Sequence, residues 1–391
     1  MSQYQTRNRT VLAKVEASEG VDAAPVVGTH AVLVENPSSN QRLNTIETNE
    51  VTGALDKRAP IPSSGNQQFS ARVYLRGSGA PGVTLPQVDP FLKACGMAPT
   101  AFAADVTGTA QGGAAGSITL AAGASAVDNF YRGCVIQTTG GTGTGQTRLI
   151  RSHVGATRLA GVTPAWEVTP DNSTTYAIRA CHIYRQVSAG IPTLTIYEYL
   201  HRRDGGLSKL RKHLGAAGTF RFTTEVSQGC YFEFQMTGSL EEPDDVAAPG
   251  AAAYHATRPI PFINATVCAL GGTKIALRNF SFDAGNQVSQ VADPNKPFGL
   301  GVASITERGA GGTFQAPMEL KAVRNVFTSW RDGLETHIAA IWGATAGNRF
   351  ALLADHMIYT GASDADVEGM GYEDLPFRAN LENDSLLITY W

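Results

Sequence analysis

Charge is scarce in this chain: 17% of its 391 residues are charged, against about 25% in an average soluble domain. The 31 basic and 34 acidic residues leave a formal charge of −3. That balance sets up no field to grip a phosphate backbone or an anionic membrane. Long apolar runs are missing as well, and none approaches the roughly 20 residues of a membrane helix. The start, Met1 to Thr10, is polar and has no signal-like apolar stretch, so synthesis in a cytoplasm is expected. The five cysteines, Cys95, Cys134, Cys181, Cys230 and Cys268, form no CxxC pair. They read as small buried residues of a reducing compartment rather than a disulfide or zinc framework.

Catalytic patterns are equally lacking. No GxSxG elbow occurs, and none of the eight histidines stands in a zinc-protease arrangement. Gly140, Gly145, Gln146 and Thr147 mimic a phosphate-binding loop. Gln146, however, stands where a lysine must neutralise phosphate, and the following residues are strand-like, so a glycine-rich hairpin is the better reading. Asp364, Asp366, Glu368 and Gly369 mimic the start of a calcium loop, but Leu375 occupies the position of its bidentate carboxylate. No catalytic, metal or cofactor site is assigned. The one cationic cluster, His201 to Arg203 with Lys209, Arg211 and Lys212, reads either as a solvated loop or as a contact with an acidic patch on another copy.

What the chain does have is strand pattern. Gly (42) and Pro (19) punctuate short alternating segments throughout. In Phe69 to Arg76, Ala71, Val73 and Leu75 alternate with Arg72, Tyr74 and Arg76. The clearest hairpin runs from Thr219 to Leu240, with Phe220, Phe222, Val226, Phe232, Phe234 and Met236 on one side. Arg221, Thr223, Glu225, Ser227, Tyr231, Glu233 and Gln235 lie on the other. Short helices are expected at Leu85 to Cys95 and Asn325 to His337. The final segment alternates Leu386, Ile388 and Tyr390 with Leu387, Thr389 and Trp391. It is apolar on both sides, which suits a strand buried from both faces, with a neighbouring subunit as one possible cover.

An Ala/Gly/Thr stretch, Ala101 to Gly116, marks a module boundary, and regularly spaced short strands follow it up to Arg179. The chain therefore divides into residues 1–104, an inserted β module at 105–180, and residues 181–391. Without the insertion about 315 residues remain, twice the roughly 150 of a common domain. Strands followed by a helix occur twice, so a duplicated, mainly β fold is expected.

Three stretches carry a resemblance. Gly116 to Ile178, with GASAVDNFYRG, GTGTGQTRLI and Trp166 to Pro170, resembles a β module that recurs in bacteriophage virion proteins. Asp89 to Met97 (DPFLKACGM) and Arg278 to Val288 (RNFSFDAGNQV) are similar to signatures of siphophage tail tube proteins. The resemblance implies a β-sandwich or barrel tail-tube fold with short flanking helices, duplicated in this chain, and rings whose inner strands form a continuous barrel and whose stacking makes a channel for DNA ejection. It implies a virion location and tape measure, terminator and distal tail proteins as partners, with DNA passing unbound and no membrane. Within it, Glu225 and Glu233 become lumen-facing carboxylates, and Leu386, Ile388, Tyr390 and Trp391 an inter-subunit strand. Two tube folds per chain favour a trimeric, pseudo-sixfold ring over a hexamer. The module is expected to project outward and to be dispensable for assembly. The competing readings are a carbohydrate-binding adhesin with Trp166 and Tyr131 on an exposed platform, and a polysaccharide-cleaving enzyme, for which no carboxylate pair stands out.

Overall fold

The computed structural model describes residues 3–226, 228–263, 265–380 and 383–391; Ser227, assigned above to the polar side of the hairpin, lies outside them. The first part of the chain forms β1 (Tyr4–Val15), β2 (Glu35–Ile46), β3 (Ile61–Tyr74), α1 (Asp89–Ala94) and β4 (Met97–Phe102). Seven short strands follow: β5 (Val106–Thr109), β6 (Gly112–Ala114), β7 (Ser117–Thr119), β8 (Val135–Gly140), β9 (Thr147–Val154), β10 (Leu159–Thr163) and β11 (Thr175–Ile178). The chain then runs through β12 (Cys181–Gln186), β13 (Leu194–Arg202), β14 (Ser208–Glu225), β15 (Gly229–Ser239) and β16 (Asp244–Val246). The last part comprises β17 (Val267–Leu270), β18 (Thr273–Lys274), β19 (Asn279–Asp283), β20 (Asn286–Ala292), β21 (Leu300–Arg308), β22 (Gly311–Pro317) and α2 (Val326–Arg331). It closes with β23 (Thr336–Trp342), β24 (Phe350–Tyr359), β25 (Ser363–Val367), β26 (Met370–Ala379) and β27 (Leu386–Tyr390).

All ladders are antiparallel, and they repeat one topology twice. An inner sheet runs β2-β3-β15-β14-β19-β22-β26-β25. Its first four strands come from the first repeat and its last four from the second, and each set follows the same order: first, second, fourth and third in the chain. Two outer sheets match in the same way, β1-β13-β14-β16 and β17-β23-β24-β27. The duplication is thus present in the strand order, although the two halves share little sequence.

In the first repeat a single long strand serves both sheets. β14 pairs with β13 and β16 up to about Leu214 and with β15 and β19 after Ala217. The switch occurs at Gly215, whose φ of +57° disfavours any side chain and where an added Cβ would meet Val302 at 2.8 Å. The second repeat makes the same change within β24, which after His356 (φ +53°) leaves β27 to pair with β26 through Met357–Tyr359, and β25 continues that pairing.

Both helices are shorter than their apolar spacing suggests. Pro90 fits only the first turn, so α1 begins at Asp89, and Gly96 at φ +80° ends it. Asn325 caps α2 by accepting from the Thr328 amide (3.0 Å), and Gly333 at φ +60° stops it six residues before the strand residue Ala339.

The core lies between the inner and outer sheets. Phe220, Phe222, Phe232, Phe234, Phe280 and Phe282 pack against Trp342, Leu352 and Phe350. Phe222 touches both repeats, with ring centroids 5.5 Å from Phe232 and 5.5 Å from Phe350.

The inserted strands form a separate sheet, β5-β11-β8-β9-β10-β7-β6. Its glycine-rich β8–β9 connection is a hairpin in which Gln146 donates to Val168 O (2.8 Å) and accepts from the Glu167 amide (2.8 Å). Tyr131 and Trp166 are buried in the module core, and so form no exposed platform. The strands flanking the module, β4 and β12, extend the second repeat's outer sheet beyond β27.

The module does not stand clear of the chain. Its core is continuous with the outer face of that sheet through Ile183, Val267, Ile341, Leu353 and Leu387. Asp355, 2% exposed, holds the contact by accepting from Arg132 (2.9 Å) and from Arg151 at 3.0–3.1 Å on both oxygens. Arg132 also pairs with Asp384. Burial raises the Asp355 carboxyl, but the Arg151 and Arg132 bonds and charges outweigh it and hold the group below the ordinary carboxylate range. Removing the module exposes this apolar face and strands Asp355, which argues against dispensability.

Asp355→Ala leaves two arginines without their shared partner, one of them buried. A loss of about 3–5 kcal/mol in urea unfolding is expected. A change below about 1 kcal/mol contradicts the clamp.

Candidate functional site: the polar face of the inner sheet

The side of the inner sheet that faces away from the Phe core is built by alternation. On β14 and β15 every second residue points out of the core, which places Arg221, Thr223 and Glu225 beside Tyr231, Glu233 and Gln235. Glu225 and Glu233 therefore both lie on this polar face. Register then lines up charges across the strands. Glu35, Arg72, Glu233, Arg221 and Asp283 are successive cross-strand partners on β2, β3, β15, β14 and β19, and Gly311 on β22 continues the row to Arg378 on β26.

The signs in that row alternate and cancel. Arg72 donates to Glu233 (2.8 Å), lies 3.5 Å from Glu35 and stacks 4.1 Å above the Tyr231 ring. Burial lowers Arg72, but the Glu233 bond and the Glu233 and Glu35 charges more than reverse it, so the guanidinium stays charged. The carboxylate of Glu233 is thus neutralised locally. Arg221 donates to Ser281 Oγ (3.2 Å). A second row contains Glu225, Asn279, Gln315, Asp374 and Ser363, with Gln315 donating to Asp374 (2.8 Å). A polyanion meets matched charges, hydroxyls and amides here, and no continuous cationic stripe.

The two edges of this sheet are free among the described residues. β2 pairs only with β3, and β25 only with β26. β2 exposes much of both faces, so its strand character comes from pairing and anchoring rather than an apolar pattern. Arg9 donates to Pro37 O (2.9 Å) and to the buried Glu198 (2.8 Å), while Ser39 donates to the other Glu198 oxygen (2.7 Å). Ser39 also lies 3.1 Å from His213 Nε2.

The terminal strand is arranged differently from the expectation that a neighbour might bury it. β27 lies between β12 and β24 of its own chain. Leu386, Ile388 and Tyr390 enter the main core, and Leu387 and Trp391 face the module. Its burial is supplied within the chain, and the open edges of the inner sheet are β2 and β25. Asp364 and Asp366 sit on the β25 edge, whereas Leu375 is buried, so the calcium-loop likeness dissolves into a β-hairpin. No group of three or more metal-ligating side chains occurs among the described residues. The pairing of Arg72 with Glu35 and Glu233 was missed by sequence reasoning; an alternating Arg in Ala71 to Arg76 is its only trace.

A duplicated sandwich whose inner sheet has one long polar face and two open edges has the architecture of a structural β subunit. The family model described as phage tail tube protein matches residues 6–379, so the chain belongs to that family and is a structural component of the phage tail. No curated protein matches the chain.

His213 gives the anchor of β2 a pH dependence. Burial, with a smaller push from Arg211, lowers its pKa from 6.5 to about 3, and burial lowers His337 to about 4. Both folded-state values lie below the unfolded one, so the stability they supply is complete above about pH 6.5 and falls as pH drops below it. Each costs on the order of 1 kcal/mol per pH unit between about pH 6.5 and 4. Urea unfolding at pH 7 and pH 5 measures this, and His213→Gln is expected to flatten the slope; an unchanged slope contradicts the assignment.

Proposed function

We propose that three copies of this chain close into a pseudo-sixfold ring, and that stacked rings form the DNA conduit of a long-tailed, siphophage-type tail. The observation that carries this reading is the inner sheet: two four-strand repeats already joined edge to edge by β14 and β19, with matching edges left open at β2 and β25. Repeating the intrachain seam between copies adds eight strands per chain to one continuous barrel and removes both edges.

The polar face then lines the lumen. Its paired charges suit the passage of DNA without specific binding, with Glu225 as the less neutralised carboxylate and Glu233 held by Arg72. The module, on the opposite side of the sandwich, faces outward and stiffens the wall it covers. Tape measure, terminator and distal tail proteins are the expected neighbours in the assembled virion.

Purified protein in negative stain is expected to show hollow rings or tubes whose averages have threefold symmetry, with three outer knobs per ring. Persistent monomers overturn the reading.

The lining makes a separate prediction. Tubes carrying Glu225→Lys with Glu233→Lys are expected to retain short duplex DNA at low salt and release it as salt rises, while unaltered tubes retain little. Equal retention by both contradicts a lumen position for these residues.

A further inference from the structure

The two helices hold equivalent positions in the two repeats but differ in cover. α1 is enclosed, with Phe91 and Leu92 fully buried. Its far end lies against the second repeat: Asn286 donates to Cys95 O (2.9 Å), and Arg308 crosses Gly96 to donate to Val187 O (3.0 Å). The segment leading into α1 docks on the same repeat at the β23–β24 connection. There the Gly77 amide donates to Asn348 Oδ1 (2.7 Å) and the Gly79 amide to Gly347 O (3.0 Å).

The matching segment of the second repeat is bare. Leu320 is 77% exposed and Phe327 64%, and Val323, Trp330 and Leu334 are also exposed; within α2 only Val326 is buried. Such an apolar cluster is uncommon on a surface that stays in water. The segment is fastened to the strand beside the open edge, through the Met318 amide to Gly371 O (3.1 Å) and Arg324 to Glu373 (2.8 Å). Patch and edge are therefore one continuous surface.

We infer that this surface, Met318 to Leu334 with the β25 edge, docks the first repeat of a second copy, reproducing between chains the contact that α1 makes within one. The inference rests on the ring reading above. The internal repeat specifies the opposing element. What the β23–β24 connection does for the α1 segment falls to the β13–β14 connection of the neighbour, Arg203 to Leu207, which is exposed and carries an exposed leucine. Leu320 stands three residues beyond β22, as Gly77 stands three beyond β3. Charge agrees, since Asp364 and Asp366 are exposed on the β25 edge while Arg203 is exposed on the turn.

The full chain carrying Val323→Asp with Phe327→Glu is expected to stay folded by circular dichroism and to lose rings entirely in negative stain. As a readout independent of that variant's folding, Leu207→Cys with Leu320→Cys is expected to give an oxidised ladder of dimer and trimer on a non-reducing gel, each single cysteine giving none. Intact rings in the charged variant, or no ladder from rings of the cysteine pair, overturn the inference and leave the tube reading standing. Rings that form but no longer stack overturn it too, by assigning the patch to a contact between rings. An unaltered chain that stays monomeric removes the ring reading and this inference with it.

Discussion

The seam between β14 and β19 is the contact on which the architecture depends. Five residue pairs, from Arg221–Asp283 to Glu225–Asn279, turn two small sheets into one. Phe222 is opposite Phe282 in that ladder and reaches Trp342 and Phe350 across the core, so backbone pairing and aromatic packing fasten the repeats at the same place. Arg221 and Asp283 sit on the other side of the seam and continue the charge row across it. The same ladder is the one we propose for joining copies, because β2 and β25 offer the same two strand positions unpaired.

Much of this was legible in the residues. The Phe alternation of the β14–β15 hairpin is a period-two signal that tertiary context only reinforces, and the module's turns carry their own glycine and asparagine chemistry. The helices were placed correctly and drawn too long, because the apolar spacing runs past Pro90 and Gly333, where backbone constraints win. Duplication was visible as a repeated order of strands and helix. It could not be aligned, since the kink falls on Gly215 in β14 but on His356 in β24, and a break before β25 has no counterpart in the long β14.

Other features depend on register, which composition does not reveal. Glu35–Ile46 has no apolar face, so nothing in its sequence marks it as a strand holding an open edge. The charge row needs five strands in phase before Arg72 is seen to neutralise Glu233. Residues apolar on both sides, such as Leu386 to Trp391, announce double burial without naming the cover. The cover proved to be β12, β24 and the module, joined through the Asp355 ion pairs, which packs the insertion into the sandwich's own core.

The measurement that tests the account most directly is the native mass of an isolated ring. Two repeats per chain with one open edge at each end predict three times the 41.3 kDa chain mass. A mass of six chains per ring contradicts it, because twelve repeats rather than the six of a pseudo-sixfold ring would then enclose the channel.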